Sequence, residues 1–336
     1  MLFTDKDFEL VVLSLSRMTF LNCNEKFILL NKLDSLHALS ILSIEDISNV
    51  FNRKLRASWD AGFVINSAKK DQKYMSRTGI SWLLYGDKRF PKILEQIADP
   101  PFLLYYRGDI SVLSNPGVSV VGTRKITGDS ISACVEFCKA ACLDGVNVIS
   151  GLAFGVDKRA HEGALAAYYE AEDASKLGRT IAVLPGAIDQ IVPVSHRKLA
   201  LDILRSGGLL LSEYPPGVGA EPFRFVQRNR IIAGLSEATV VIQAPPGSGA
   251  MLTAEFALEY DREVMFHKAA FSESSMRISA FEKARLSNPA IENKSNLNKL
   301  KNDPALFVDD GAPIIEDYAD FIKCLHEAPG KRGQNG

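Results

Sequence analysis

The 336-residue sequence has no Cys-x-x-Cys pair, no His-Glu-x-x-His and no group of cysteine and histidine at metal-ligand spacing. Its five cysteines are an odd number, and Cys134, Cys138 and Cys142 recur every fourth residue. That spacing puts three small apolar side chains on one helix face. It suits buried free thiols in a reducing cytoplasm better than a disulfide framework or a zinc site. No apolar run reaches the roughly 20 residues that span a bilayer. The opening MLFTDKDFELVVLSLSRM has acids before a short apolar run and lacks the basic start and cleavage site of a secretory signal. Charge of one sign is not in excess either: 39 Lys and Arg stand against 40 Asp and Glu, a net −1. Any polyanion site must therefore be a local pocket, not a global field. Gly-x-x-x-x-Gly-Lys-Ser/Thr and Gly-x-Ser-x-Gly are absent, which argues against a P-loop ATPase and a serine hydrolase. No cofactor and no metal is expected.

What is present is 46% apolar residues, enough for a sizeable core. Residues 1–80 show apolar positions at three- and four-residue steps and predict a small helical domain. Residues 81–115 predict a connector punctuated by Gly86, Pro91, Pro100 and Pro101, with FLLYYRG as an edge strand. From Pro116 the pattern changes. GVSVVG, VNVISG, TIAVLPG, LLLSEYPPG and ATVVIQ are apolar strands, each followed by a helical stretch, and EVMF is a sixth. Such alternation over residues 116–325 predicts an α/β domain with a parallel sheet covered by helices on both faces. Residues 268–304 are polar and weakly patterned, and 326–336 are expected to be a frayed tail.

In an open parallel sheet, ligands bind outside the carboxyl ends of the strands. The loops that fall there are GTRK (122–125), SGLAFG (150–155), PGAID (185–189), SEYPPG (212–217) and APPGSG (244–249). Their glycines let backbone N–H groups approach a ligand, and the helices that follow aim their N-termini at the same rim, which favours phosphate. Arg124, Arg228 and Arg230 bring formal charge to it, the last two expected at a helix start. Asn229 between them suits a cap more than a ligand contact. Arg228 and Arg230 are two apart and point in different directions, so one should face the rim and the other pair with an acid such as Glu213. Phe223 and Phe225 are expected in the core, with base stacking the lesser option. Asp157 and His161, four apart on a helix, are placed for a hydrogen bond that stabilises the neighbouring loop. The first strand is followed by GTRKITG and not Gly-x-Gly-x-x-Gly, which argues against a standard NAD site.

The segments VSVVGTRKIT, VISGLAFGVDKRAHEGAL, TIAVLPGAID, GGLLLSEYPPG, FVQRNRIIAGLS and SGAMLTAEFALEYDREV resemble, in order, the DNA-processing protein A (DprA/Smf) family over about residues 85–265. The resemblance implies an extended Rossmann-like domain, preceded by a small helical domain, that binds single-stranded DNA without sequence preference. It implies a homodimer that protects the strand and loads RecA onto it in natural transformation or recombination, with no catalytic turnover. It implies Gly122, Thr123, Arg124, Lys125, Ser150, Gly151, Arg228, Asn229, Arg230, Ser248 and Gly249 as DNA or phosphate contacts.

The chain departs from the family in places. Ile242-Gln243-Ala244 stands where Val-Glu-Ala is usual, and YYEAEDASKLG lengthens the loop before the third strand. MFHKAAFSESS replaces the usual Pro-Gly turn and Asn-rich segment, and no winged-helix module is expected in the residues that follow the core. Two other function classes compete. PPGSGAMLTAE, ending at Glu255, echoes the Pro-Gly-Gly-x-Gly-Thr-x-x-Glu of nucleotide phosphoribohydrolases. A nucleotide sensor is the other.

Overall fold

The computed structural model describes residues 5–288 and 294–327, so most of the expected 326–336 tail lies outside the described residues. Five helices come first: α1 (Asp5–Ser16), α2 (Cys23–Lys32), α3 (Leu36–Ile41), α4 (Ile44–Val50) and α5 (Ala61–Thr78). Short polar side chains start them. Asn22 and Glu25 form a reciprocal capping box on α2, Ser43 and Asp46 form another on α4, and Asp60 caps α5. Gly79 ends α5 at φ 67°, a left-handed conformation that glycine adopts without a Cβ clash.

Two antiparallel strands follow, β1 (Ser81–Leu84) and β2 (Leu103–Gly108), with the short α6 (Lys92–Glu95) between them. Then strand and helix alternate as expected: β3 (Gly117–Gly122), α7 (Gly128–Leu143), β4 (Asn147–Ser150), α8 (Val156–Glu170), β5 (Thr180–Val183), α9 (Arg197–Arg205) and β6 (Leu209–Ser212). The series continues through α10 (Pro222–Gly234), β7 (Ala238–Gln243), α11 (Gly249–Glu259) and β8 (Glu263–His267). Helices α12 (Glu273–Leu286), α13 (Lys294–Lys301) and α14 (Pro304–Asp309) precede the two-residue β9 (Ile314–Ile315) and the closing α15 (Tyr318–His326). None of these helices is long and apolar enough to cross a membrane, among the described residues.

Among the described residues, all nine strands form one sheet, in the order β1-β2-β6-β5-β4-β3-β7-β8-β9, parallel from β6 through to β9. FLLYYRG is a strand, but not the outermost one. SWLL, four residues with no alternating signature, becomes the edge strand because β2 offers it a partner. Strands β4 to β7 are buried at every position, as a sheet covered on both faces demands.

The two faces split by the period of two. Leu209, Leu211, Val121, Val183 and Val241 pack under α6, α10 and α11, whose contributions include Leu94, Ile231, Ile232 and Met251. On the opposite face Val118, Val120, Val148 and Val240 meet α7, α8 and α15, with Cys134, Cys138 and Cys142 fully buried in that core. Burial pushes the Cys142 thiol up to about 12 and raises Cys138 as well, so both stay as neutral apolar side chains at physiological pH. Further along this face, Leu103, Tyr105, Ala182 and Leu210 pack against Val11, Leu15, Leu29 and Ile65 of the N-terminal helices. The Tyr105 hydroxyl lies 2.8 Å from Ser16 Oγ, and Arg17 pairs with both Asp71 oxygens while donating to Pro216 O at 3.2 Å.

Candidate nucleic-acid interface

Strand β3 has β4 on one side and β7 on the other, and the chain works outward through β4, β5 and β6 before crossing back to β7. The strand order reverses there, and this is where a crevice opens at the carboxyl end of a parallel sheet. Thr123 N donates to Gln243 O at 2.7 Å, and Thr127 N donates to Gln243 Oε1 at 2.9 Å. The loop after β3 is thus tied to the end of β7 by the residue at which this chain departs from its resemblance. A Cβ on Gly155, which sits at φ 77°, would stand 2.1 Å from Thr123 O, so the loops after β3 and β4 touch only because this residue is glycine. Gly122 is similarly closed in by Val156 and Gln243 O.

Of the expected contacts, Arg124 and Lys125 are exposed at this rim. Arg124 lies over the Phe225 ring, 5.1 Å from its centroid, and neither cation has an ion pair among the described residues. Gly249 opens α11 at the same rim. Ser248 stands at its N-cap without capping it, and the Ser248 Oγ is buried with no hydrogen-bond partner among the described residues. The first N–H groups of α11 are thereby left without a side-chain cap, the geometry that receives an anion. Ser150 is fully buried and donates to Val120 O at 2.7 Å, so it shapes the β4 loop from beneath.

The Arg228-Asn229-Arg230 run differs from the expectation. It is not at a helix start. Helix α10 begins at Pro222 after the N-cap Glu221, so the run lies in its second half and faces inward. The three side chains are 4%, 9% and 8% exposed. Arg228 Nη1 donates to Gly151 O at 2.7 Å and to Val183 O, filling the hollow above Gly151, where a Cβ would collide with the guanidinium. Burial pulls the Arg228 guanidinium down to about 10, and Asp157 opposes that fall, so it remains charged at neutral pH. Against the same burial, Glu213 and Asp99 hold Arg230 above its ordinary value. It donates to both Glu213 oxygens at 3.1 and 2.7 Å and to Asp99 at 3.0 Å. The expected Glu213 pairing is present. Asn229 Nδ2 donates to Gly249 O at 3.1 Å, which tethers α10 to the start of α11 instead of capping a helix.

Asp157 and His161 do not pair. The Asp157 carboxylate accepts from Ala153 N at 3.2 Å, and His161 Nδ1 lies 2.6 Å from Thr180 Oγ1. Burial pushes the Asp157 carboxyl up, and the Arg228 guanidinium draws it partly back. Burial holds the His161 ring neutral, with its pKa pushed down to about 3 and His196 and Arg228 adding to the effect. The native state therefore refuses a proton that the unfolded chain accepts below about pH 6.5. This contribution is fully present above pH 6.5 and falls as the solution is acidified. Between pH 6.5 and 5 it costs about 2 kcal/mol. Urea unfolding at the two pH values should show that loss, and His161→Gln should flatten it. An unchanged slope in the variant would assign the acid sensitivity to other groups.

Two aromatics expected in the core are not there. Phe223 is 55% exposed and Phe225 is half-buried beneath Arg124. Arg224 stacks between Tyr214 and Phe223, 5.1 and 5.3 Å from their ring centroids. Phe154, in the loop after β4, is 50% exposed and meets His196 edge-on at 4.9 Å. Sequence reading missed Phe154 and Arg224. The signal available was an aromatic inside a glycine loop, SGLAFG, and an arginine between two phenylalanines, FRF. Arg124 on Phe225 and Arg224 between Tyr214 and Phe223 pair cations with aromatic faces, and Phe154 adds an exposed ring in the loop after β4, a set suited to a strand that offers both phosphates and unstacked bases.

Protein Smf of Borreliella burgdorferi is 33% identical over 260 residues, 77% of this chain and 79% of that protein. Protein Smf of Synechocystis sp. is 41% identical over 182 residues, and there this chain spans 43% of the relative's length. The X-ray structure of DNA processing protein A from Streptococcus pneumoniae superposes with a TM-score of 0.67 at 24% identity, covering 98% of this chain and 100% of that one, which shows a shared fold. DNA processing protein A from Helicobacter pylori, described for its single-stranded DNA binding mode, covers 68% of this chain and 96% of its own at 28% identity and a TM-score of 0.51. The sequence profile of the DNA recombination-mediator protein A family matches residues 81–289. With half of the chain and more inside that profile, and a two-thirds-length relative beside it, this chain belongs to the DNA recombination-mediator protein A family.

Proposed function

We propose that this protein binds single-stranded DNA at the β3–β7 crevice, with little sequence preference, and hands the strand to a RecA recombinase as a cytoplasmic homodimer. The observation that carries the binding reading is Arg124, an exposed guanidinium with no ion pair among the described residues, lying on Phe225 at the rim that also holds the uncapped start of α11. Phosphates suit the cation and the free N–H groups. Bases suit the Phe154 and Phe223 faces, which are sequence-tolerant because every base has a π face. The recombinase and the dimer are carried over from the family. Arg228 and Arg230 serve on this reading as the scaffold of the rim, with Arg124, Lys125 and Arg224 as its cations without an ion pair among the described residues, Arg224 also donating to Gly219 O.

The phosphoribohydrolase alternative needs a carboxylate near a ribose at the rim. Glu255 lines a different cleft, with Glu263 and Val264 at the first residues of β8, the end of that strand away from the rim. The carboxylates Glu213, Asp157 and Asp189 at the rim are engaged, Glu213 by Arg230, Asp157 by Ala153 N and Asp189 by Gly217 N.

Anisotropy titrations with single- and double-stranded oligonucleotides across a salt series test the binding reading. Arg124, Lys125 and Arg224 give an expected slope of about −2 or steeper in log K against log salt, at about −0.7 per neutralised phosphate on a single strand. Equal affinity for duplex and single strand, insensitive to salt, would remove the reading. Release of free base from a nucleotide would favour the enzyme. Acceleration of recombinase filament nucleation on a coated strand tests the hand-off.

A further inference from the structure

Helix α13 lies beyond residue 289, where the family profile ends. Its sequence KSNLNKLK holds three lysines and no acid. It packs on the loop that leads from β7 into α11. Gly247 N donates to Asn302 O at 3.3 Å, just past the helix. Gly247 has φ 72°, and a Cβ there would stand 2.6, 2.9 and 3.2 Å from Lys299 Cβ, Cγ and Cδ. The Lys299 stem therefore lies lengthwise across a glycine with no side chain, one residue before the Ser248 N-cap. The residue is exposed and makes no ion pair among the described residues. A lysine stem lying on backbone with its ammonium in water is the arrangement by which a long side chain carries charge along a surface.

We propose that Lys299 is an additional phosphate-binding residue of this chain, supplied by a helix beyond the segment that the family profile matches, which extends the strand path past Gly249. The proposal rests on the single-stranded DNA reading given above. Three observations converge on one backbone turn: the Lys299 stem on Gly247, the unpartnered Ser248 Oγ and the uncapped start of α11. Lys301 is the internal contrast. It borders a different cleft, lined by Glu255, Glu263 and Asp310, away from that turn.

The test compares Lys299→Gln and Lys301→Gln with Arg124→Ala, by anisotropy of labelled oligo-dT across a salt series. Amine acetylation of the full-length wild-type protein, read by mass spectrometry, runs with and without oligo-dT. Expected is a salt slope about 0.7 shallower for Lys299→Gln, the share of one phosphate. Its affinity should be several-fold lower at low salt, Lys301→Gln should be unchanged, and Lys299 alone of the pair should be protected from acetylation. If Arg124→Ala weakens binding while Lys299→Gln keeps the full slope and Lys299 acetylates equally with and without DNA, the proposal is overturned and the binding reading stands. If the wild-type protein ignores oligo-dT, the binding reading falls and takes this proposal with it.

Discussion

Arg228→Ala is expected to lower folding stability by about 3–5 kcal/mol, the range for removing one partner of a buried charge network. The side chain is 4% exposed and donates to the carbonyls of Gly151 and Val183, the ends of two parallel strands. Truncation leaves both oxygens without that donor and opens a cavity the size of a guanidinium above Gly151. It also strips Asp157 of the cation that offsets its burial. Lysine retains the charge but lacks the planar fork, so Arg228→Lys should recover only part of the loss. Urea denaturation with a shared m-value measures it. An unchanged midpoint in Arg228→Ala would mean that the strand ends find other donors.

The second large effect falls on binding instead of stability. Arg124→Ala should weaken single-stranded DNA by about 1.5–3 kcal/mol, roughly 10- to 100-fold, if its guanidinium bonds a phosphate. The unfolding midpoint should move by no more than about 0.5 kcal/mol, since the side chain is exposed and stacks only on Phe225. The two arginines thus predict opposite signatures: one variant that unfolds early, one that folds normally and binds poorly. Normal binding by Arg124→Ala would shift the phosphate site toward Lys125 and Arg224.

The parallel strands were legible because a strand buried on both faces must be an unbroken apolar run, as LLLS and ATVVIQ are. SWLL was not, since four residues at an edge carry no periodicity and only the partner strand defines them. In the site, Arg124 and Gly249 read correctly as rim residues because a turn after a strand has one place to be. Arg228 and Arg230 did not. Their long-range acceptors are the carbonyls of Gly151 and Val183 and the carboxylates of Glu213 and Asp99, the nearest of them 17 residues away in sequence. A helix that begins four residues earlier than VQRNR suggests, with Pro222 in its first turn, rotates the whole run inward. The same shift turned Phe223 outward, and composition alone does not distinguish a core phenylalanine from one on a binding surface.

The N-terminal helices and the sheet share one apolar core, and this sets a limit on dissection. A chain cut at residue 80 would retain every rim residue. It would also bare the side chains of Phe102, Leu103, Tyr105 and Leu210 that Val11, Leu15 and Leu29 now cover. Exposed apolar surface of that kind drives self-association. It would also lose the Arg17 donor that holds Pro216 O in the loop after β6. The half that carries the rim is therefore not a portable module: moved to another protein, it would need its own helices or a replacement cover for that face of the sheet.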